Sequence, residues 1–391
     1  MKKLLVAVLA LALFAPAFAV ENVYVTGDIQ VIGLAYEDQG VQGVGNLKGT
    51  TSRVLLGLEA DLVEDVQAKL TFAHKWINGT NDVTGESITG GGLLDNTFLA
   101  EAYVNVSNVF DALEVKVGRQ FYGDEKSAVM YFGPTYGYAD PMDFRGYMSL
   151  DGATARYNGE NWALTAAYFS VRNTAAFTPN TDTNLGGLDL ALKINEELSA
   201  SAYVYDARRR GIVDAFGFWG IKPTYENDNL KLGAEFTRNY GDVEKGWQVK
   251  ADLALPIGLD NATITPRATY LKSEKNFRAF GNYRPGLMFG TLLGLNGGAI
   301  NNTFVPGNMA NWEVVNAGIC MKFANLEKWG FGLDFYTGER NNEWQGNSWE
   351  AKIVYNHNQY VSFDLTGAVL TNRVHLTASP YAAQLGMNIK F

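Results

Sequence analysis

The sequence predicts an all-β protein, a transmembrane antiparallel β-barrel of about 18 strands with short periplasmic turns and long extracellular loops. Three observations support this fold class. Apolar residues recur at every second position in about 18 segments of roughly ten residues, the length that a tilted strand needs to cross a bilayer. The connections between these segments alternate between short and long, and the chain begins with a stretch typical of a secretory signal.

The final segment, 384–391, shows the strand pattern most clearly. Leu385, Met387, Ile389 and Phe391 alternate with polar or small residues, so they form the apolar face of a strand. Closing strands of outer-membrane barrels commonly end on such a phenylalanine. We therefore expect this strand to close the sheet and to be recognised by the barrel-assembly machinery.

Residues 1–19 are predicted to be a signal peptide. Lys2 and Lys3 give it a positive start, 4–13 form an apolar run, and 17–19 (Ala-Phe-Ala) form a small-x-small cleavage site. The apolar run is too short to span a bilayer. The mature chain, 20–391, is predicted to be one barrel without a further domain.

The predicted strands combine an apolar face with a polar one. In the second of them, Val54, Leu56 and Leu58 share one face, while Arg53 and Glu59 lie on the other. The predicted segments are 23–35, 51–62, 66–77, 96–106, 113–122, 148–157, 161–172, 185–194, 198–206, 213–226, 229–239, 246–255, 261–274, 313–323, 328–338, 348–356, 360–371 and 381–391.

The lengths of the connections separate into two sets. The short turns are 64–65, 158–160, 195–197, 227–228 and 357–359, and the long loops are 36–50, 78–95, 123–147, 173–184, 275–312 and 372–380. A soluble sandwich has no reason to separate loop lengths in this way. A closed barrel of about 18 strands is too wide for side chains to fill, so we expect an aqueous lumen lined by the polar faces.

Composition excludes several functions. Aromatic residues make up 13% of the chain, as expected for a barrel with aromatic girdles at both membrane interfaces. Lys and Arg number 32 and Asp and Glu 41, a formal charge of −9 that becomes −11 without Lys2 and Lys3, which is unsuited to nucleic-acid binding. The single Cys320 excludes an intramolecular disulfide and a multi-cysteine metal site.

The sequence carries no pattern typical of an enzyme. The three histidines, His74, His357 and His375, form no zinc-binding pair, and no nucleophile elbow occurs. We therefore expect no catalytic residues, no metal and no cofactor. A barrel hydrolase, whose Ser, His and acid would meet only in space, stays a less favoured alternative.

Arginines are the main candidates for pore residues. An arginine keeps its charge at every physiological pH, and a ring of arginines in a pore attracts anions. The alternative is that lumen cations simply pair with carboxylates across the barrel, and the sequence leaves both possibilities open. The candidates in predicted loops, at strand ends or with lumen parity are Arg145, Arg156, Arg208, Arg209, Arg210 and Arg267.

Two stretches carry a resemblance to a known family. Residues 113–120 (LEVKVGRQ) are followed, after a long aromatic loop, by 146–153 (GYMSLDGA). They resemble the Gly-Arg-Gln strand and the later hydrophobic-Asp-Gly strand of the alginate-export family of outer-membrane porins. The resemblance implies an 18-stranded monomeric barrel that passes an anionic polysaccharide through an arginine-rich constriction. It carries over Gly118, Arg119, Gln120, Asp151 and Gly152, whereas the elongated periplasmic turn of the alginate exporter has no counterpart here.

The strand parity of Arg119 allows two placements of its side chain. It shares the parity of Val115 and Val117, which is that of the lipid-facing side, where a bare arginine at mid-membrane would cost ~2–4 kcal/mol. Either Gly118 marks a bulge that turns Arg119 inward, or Arg119 lies at the level of the lipid headgroups.

The sequence thus predicts a monomeric porin in the outer membrane of a Gram-negative-type bacterium. We expect passive, anion-preferring passage of a (poly)saccharide or another small anionic solute. The alternatives are a general porin or a small-substrate-specific porin for organic anions, amino acids or sugars. The loops 123–147, with Tyr136 and Tyr138, and 275–312 are the candidates to fold inward and narrow the pore.

Overall fold

The structure is a computed structural model. It describes residues 22–37, 47–81, 87–89, 97–124, 127–134, 149–171, 183–209, 216–241, 245–274, 277–280, 286–287, 307–308, 311–371 and 381–391. The predicted signal peptide lies outside the described residues.

Long strands of the described chain form one closed antiparallel barrel, and we number them β1–β18 in chain order. Each strand pairs with the next along the chain, and β18 pairs with β1. The predicted fold class and strand number are therefore confirmed. The strands are β1 (Asn22–Glu37), β2 (Leu47–Val63), β3 (Val66–Asn81), β4 (Thr97–Val109), β5 (Leu113–Gln120), β6 (Leu150–Asn158), β7 (Trp162–Val171), β8 (Thr183–Lys193), β9 (Leu198–Arg209), β10 (Phe216–Glu226), β11 (Lys231–Gly241), β12 (Trp247–Ala254), β13 (Ala262–Ser273), β14 (Trp312–Phe323), β15 (Trp329–Arg340), β16 (Glu343–Asn356), β17 (Val361–Thr371) and β18 (Tyr381–Lys390).

Shorter elements accompany the barrel. Two of them extend its wall: Ser87–Thr89 pairs with β3, and Ile257–Leu259 continues β12 along β13. The others belong to the connections, and they are the pair Tyr122–Gly123 with Tyr131–Phe132, the pair Arg278–Ala279 with Gly307–Asn308, and the 3-10 helix Ala324–Leu326.

The closing contact joins β1 to the last residue. Gly27 N donates to Phe391 O over 2.8 Å, and Phe391 N donates to Gly27 O over 3.0 Å. A Cβ atom on Gly27 would lie 2.3 Å from the Phe391 ring, so a glycine is needed there to leave room for the ring. The final segment therefore closes the sheet, as its alternation predicts.

The two faces of the wall differ as expected. Outward positions carry exposed apolar side chains, such as Leu56, Leu188 and Leu385, the last 61% exposed. A continuous apolar outer surface on a closed barrel is stable in a bilayer, and such barrels are characteristic of the outer membrane. Exposed aromatic residues flank this surface: Tyr157, Trp162, Trp329, Tyr360 and Phe391 at the end with the short turns, and Trp76, Tyr168, Trp219 and Tyr381 at the end with the long loops.

Some boundaries differ from the predicted ones. β2 begins at Leu47 and β16 at Glu343, both earlier than predicted, and β5 ends at Gln120. The connection between β15 and β16 is a two-residue turn of Asn341 and Asn342, with φ of 55° and 62°, although it lies at the long-loop end. This turn is a lapse in the alternation of short and long connections, which holds elsewhere only for most of the chain. Asparagine tolerates the left-handed region that a tight hairpin requires.

Candidate functional site: the barrel lumen

Two loop segments lie inside the barrel. After β5 the chain turns into the lumen, and the described part 127–134 runs beside the second segment, 277–280. Phe280 N donates to Val129 O over 2.8 Å, and Tyr131 N donates to Phe280 O over 3.0 Å. The described parts of the loops 123–147 and 275–312 thus fold inward as predicted, and they bind each other through the backbone.

Apolar side chains of both segments pack on the wall, and we call this group the lumen cluster. Val129 is fully buried, and the Phe280 ring lies 5.6 Å from Phe132 and 6.2 Å from Phe218, centroid to centroid. Burial of each such side chain contributes about 1.5–3 kcal/mol. The wall residues of the cluster come from strands around the barrel: Ile32, Leu34, Leu150, Ala167, Phe169, Leu185, Tyr205, Ala207, Phe218, Leu271, Trp312, Val314, Ala368, Leu370 and Ala382. The cluster therefore narrows the lumen from several sides.

Polar side chains of the wall hold the second inward loop, which includes the described residues 277–280 and 286–287. The Asn239 amide of β11 donates to Arg278 O and accepts from Arg278 N, both over 2.9 Å. On β16, Glu350 Oε2 accepts from Leu287 N over 2.7 Å. Buried polar groups are normally paired in this way. The second loop is thus attached to two separate parts of the wall.

The first inward loop, of which 121–124 and 127–134 are described, has its own polar contacts. Ser127 Oγ donates to Glu235 Oε1 over 3.4 Å, and Tyr203 OH donates to the same oxygen over 2.9 Å. The hydroxyls of Tyr122 and Tyr205 are 2.7 Å apart. Either hydroxyl can be the donor, and the bond joins the chain that follows β5 to the wall strand β9.

Several lumen cations pair with carboxylates. The Arg267 guanidinium donates to Asp334 through Nε over 3.1 Å and through Nη2 over 2.5 Å. Lys222 Nζ lies 2.6 Å from Asp124 Oδ2 and so joins β10 to the first segment. Further lumen pairs are Arg53 with Asp28, Lys69 with Glu59 and Glu101, and Lys250 with Asp252. These cations are therefore paired with carboxylates, but the wall pairs lie on the same strand or on nearby strands and do not cross the lumen.

Arg119 and Asp151 come together on the outer face. Their carboxylate and guanidinium form two hydrogen bonds of 2.7 Å. The register across Gly118 continues without a shift, so no bulge turns Arg119 inward. Asp151 is opposite Ser170, beyond the exposed Tyr168 of the outer aromatic girdle. This position fits the headgroup level, and Arg119 does not line the lumen.

The other described candidates lie on different faces of the barrel wall. Gln120 is buried on the inner side, where its Oε1 accepts from Thr154 over 3.3 Å. Arg156 is exposed on the inner side and donates from Nε to Asn158 Oδ1 over 2.8 Å. Arg208 instead pairs with Asp206 over 2.6 Å on the outward parity of β9, so it does not face the lumen.

Arg145, Arg210, Tyr136 and Tyr138 lie outside the described residues, and Arg209 ends β9 with its side chain outside them.

Three residues around the inward loops were not predicted from the sequence: Lys222 and Asn239 contact the loops directly, whereas Tyr203 donates to Glu235. Asn239 did carry a signal, because Glu235, Thr237 and Asn239 form a polar run with the same parity in β11. The partner of each residue depends on how the loops fold, which alternation does not encode.

No helix in the described part of the chain is long and apolar enough to cross a membrane. Within the same residues, no group of three or more His, Cys, Asp or Glu side chains could hold a metal ion.

Comparison with known proteins gives structural neighbours only, since no protein-family model and no curated protein matches the sequence. A BenF-like porin from Pseudomonas fluorescens Pf-5 aligns with a TM-score of 0.62 at 13% identity, over 95% of this chain and 99% of that chain. OccK5 (OpdH) from Pseudomonas aeruginosa aligns with a TM-score of 0.61 at 14% identity, over 95% of this chain and 98% of that one. At this identity the likeness shows the fold, which is that of an outer-membrane porin barrel.

Proposed function

We propose that the protein is an outer-membrane porin that gives passive passage to a small anionic solute. The observation that carries the proposal is the pair of inward segments joined by the backbone hydrogen bonds of Val129, Tyr131 and Phe280. An open barrel of this strand number is wide enough for an aqueous channel. A constriction built from two loops favours a selective channel for small solutes over a general porin.

The distribution of charge supports anion preference. Arg267 is 42% exposed, whereas its partner Asp334 is only 9% exposed. Glu235 and Glu350 are nearly buried and hold the loops. In the Lys222–Asp124 and Lys250–Asp252 pairs the carboxylate is the more exposed partner. The support for anion preference therefore comes from the exposed guanidinium groups of Arg267 and Arg156 on the inner side. Groups in the narrow part of a pore control which ion passes.

Passage of a polysaccharide, as the resemblance to the alginate-export family implies, is the second candidate. The described aromatic residues of the lumen cluster pack on one another, as the 4.9 Å separation of the Tyr122 and Phe169 rings shows, and they offer no open track for sugar rings. A polymer would require the two inward segments to separate. Block by a small uronate but not by a long oligouronate would therefore favour the small-solute channel.

The proposal includes the partners that the sequence predicts. These are outer-membrane lipid, the barrel-assembly machinery acting on β18, and no second copy of the chain. We expect the barrel to be oriented with its short turns in the periplasm and its long loops outside the cell. A channel of this kind needs no reaction, cofactor or metal.

The anion preference can be tested at Arg267. We expect Arg267→Gln to lower the anion-to-cation permeability ratio roughly twofold, because it removes an exposed lumen charge. The measurement is the reversal potential of single channels under a salt gradient. Lys272→Gln is the matched control, since Lys272 is on the same strand but pairs with Glu313 on the outer face. An unchanged ratio in Arg267→Gln, or an equal change in the control, would contradict the assignment.

A further inference from the structure

We propose that Arg119 and Asp151 position the first inward segment, acting from the outer face of the wall. The two residues touch no solute, so they are positioning residues of the channel. This inference rests on the proposed function for its electrical consequence. The control of an inner loop by an outer ion pair does not depend on which solute passes.

The Arg119 guanidinium makes three hydrogen bonds on the surface of the barrel. In addition to the two bonds to Asp151, Arg119 Nη1 donates to Leu99 O over 3.2 Å. Leu99 precedes Ala100, the extra residue at a register shift between β3 and β4. Arg119 therefore links β5 to β6 through a carboxylate, and to β4 through a backbone carbonyl beside a bulge. A planar guanidinium with several fixed donors is suited to such a three-way contact.

The chain leaves the wall immediately after this contact. β5 ends at Gln120, and the next two side chains pack in different places. Phe121 packs against a small apolar group formed by Leu55, Ala73, Ala100 and Phe98. Tyr122 instead joins the lumen cluster. The outer ion pair thus fixes the last residues of β5 at the point where the chain turns inward.

Glycines on the inner face complete the arrangement. Gly118 and Gly152 are opposite each other in the register. A Cβ atom on Gly152 would lie 2.1 Å from the backbone oxygen of Tyr168 and 2.9 Å from Cδ1 of Phe169, so the glycine leaves room for the neighbouring strand and for the Phe169 ring. The Tyr122 ring then packs on Phe169. The residues of the sequence motif therefore act together to fix the exit of the chain from β5 into the lumen.

Stability alone does not explain the choice of residues. The Arg119 and Asp151 side chains are 36% and 40% exposed, and half-exposed ion pairs contribute little net stability. At the headgroup level a single polar residue would cost little, so the outward position does not by itself require a pair. What a bidentate pair adds is a defined relative placement of two strands.

The test uses Arg119→Gln and Asp151→Asn in the full chain, with amide hydrogen exchange as the readout. The amides of Tyr131 and Phe280 report directly on the contact between the inward segments. We expect each variant to exchange these amides roughly tenfold faster, while the amides of β14 and β15 keep their wild-type rates. Asp206→Asn is the matched control, because it removes the outer ion pair with Arg208 at the end of β9.

Single-channel recording of the same variants should show a noisier open current with excursions to a higher level. Wild-type exchange at Tyr131 and Phe280 in both variants would overturn the proposal. So would equal acceleration in Asp206→Asn, or acceleration spread evenly over the barrel, which would mark a purely structural role. If the wild-type protein carried no current, the proposed function would fail, but the exchange result would still decide whether the pair positions the loop.

Discussion

Replacing residues 127–132 with a glycine-serine stretch of the same length should raise the single-channel conductance about threefold or more, because the constriction of a wide barrel is lost. The change removes Val129, Met130 and Phe132 from the lumen cluster. Their burial together contributes on the order of 5 kcal/mol, so the replaced segment should no longer stay packed in the lumen. The measurement is the conductance of single channels in a planar bilayer.

A matched replacement at 324–327 serves as the control, because these residues form an exposed connection outside the lumen. It should leave the conductance at the wild-type level. An unchanged conductance in the 127–132 variant, in a barrel shown to be folded, would mean that the inward segments do not limit the current.

Gly118→Ala should prevent assembly of the barrel or lower its stability by about 3 kcal/mol or more. Gly118 has φ of +128°, a conformation that residues with a side chain rarely adopt. A Cβ atom there would also lie 2.2 Å from Ala102 O, in the backbone of the neighbouring strand. The measurement is the folded fraction and unfolding temperature of the refolded protein.

The comparison is with Gly367→Ala, another glycine of a barrel strand. A Cβ atom on Gly367 would have no atom within 4 Å, so this variant should fold like the wild type. Normal folding of Gly118→Ala would show that the strand at this point does not require glycine.

The strands of the barrel could be predicted because their signal is local. Alternation with period two and turn residues between the strands are properties of neighbouring residues. The lipid-facing parity of Arg119 followed from the same rule, and it was correct. The start of β16 was predicted too late in the chain. A longer connection was expected before it, whereas Asn341 and Asn342 form a tight turn.

The contacts of the lumen could be predicted only in part. Aromatic content and length identified the two loops that fold inward, but not their partners. Asn239 and Arg278, for example, meet because a loop crosses the lumen, and no periodicity encodes that path. The pairing of Arg119 with Asp151 depends on the register between β5 and β6, which is set by packing over the whole barrel. Arg208 shows the opposite case, since charge alone suggested a pore residue and the parity of β9 directs it outward.

The most direct test of the porin function is the single-channel current of the unmodified protein in a planar bilayer under a salt gradient, before and after addition of a small uronate. We expect a small conductance with a reversal potential that shows anion preference, and a current that the uronate blocks while a neutral sugar does not. A large current without ion preference or block, or no current at all, would contradict a narrow channel for small anionic solutes.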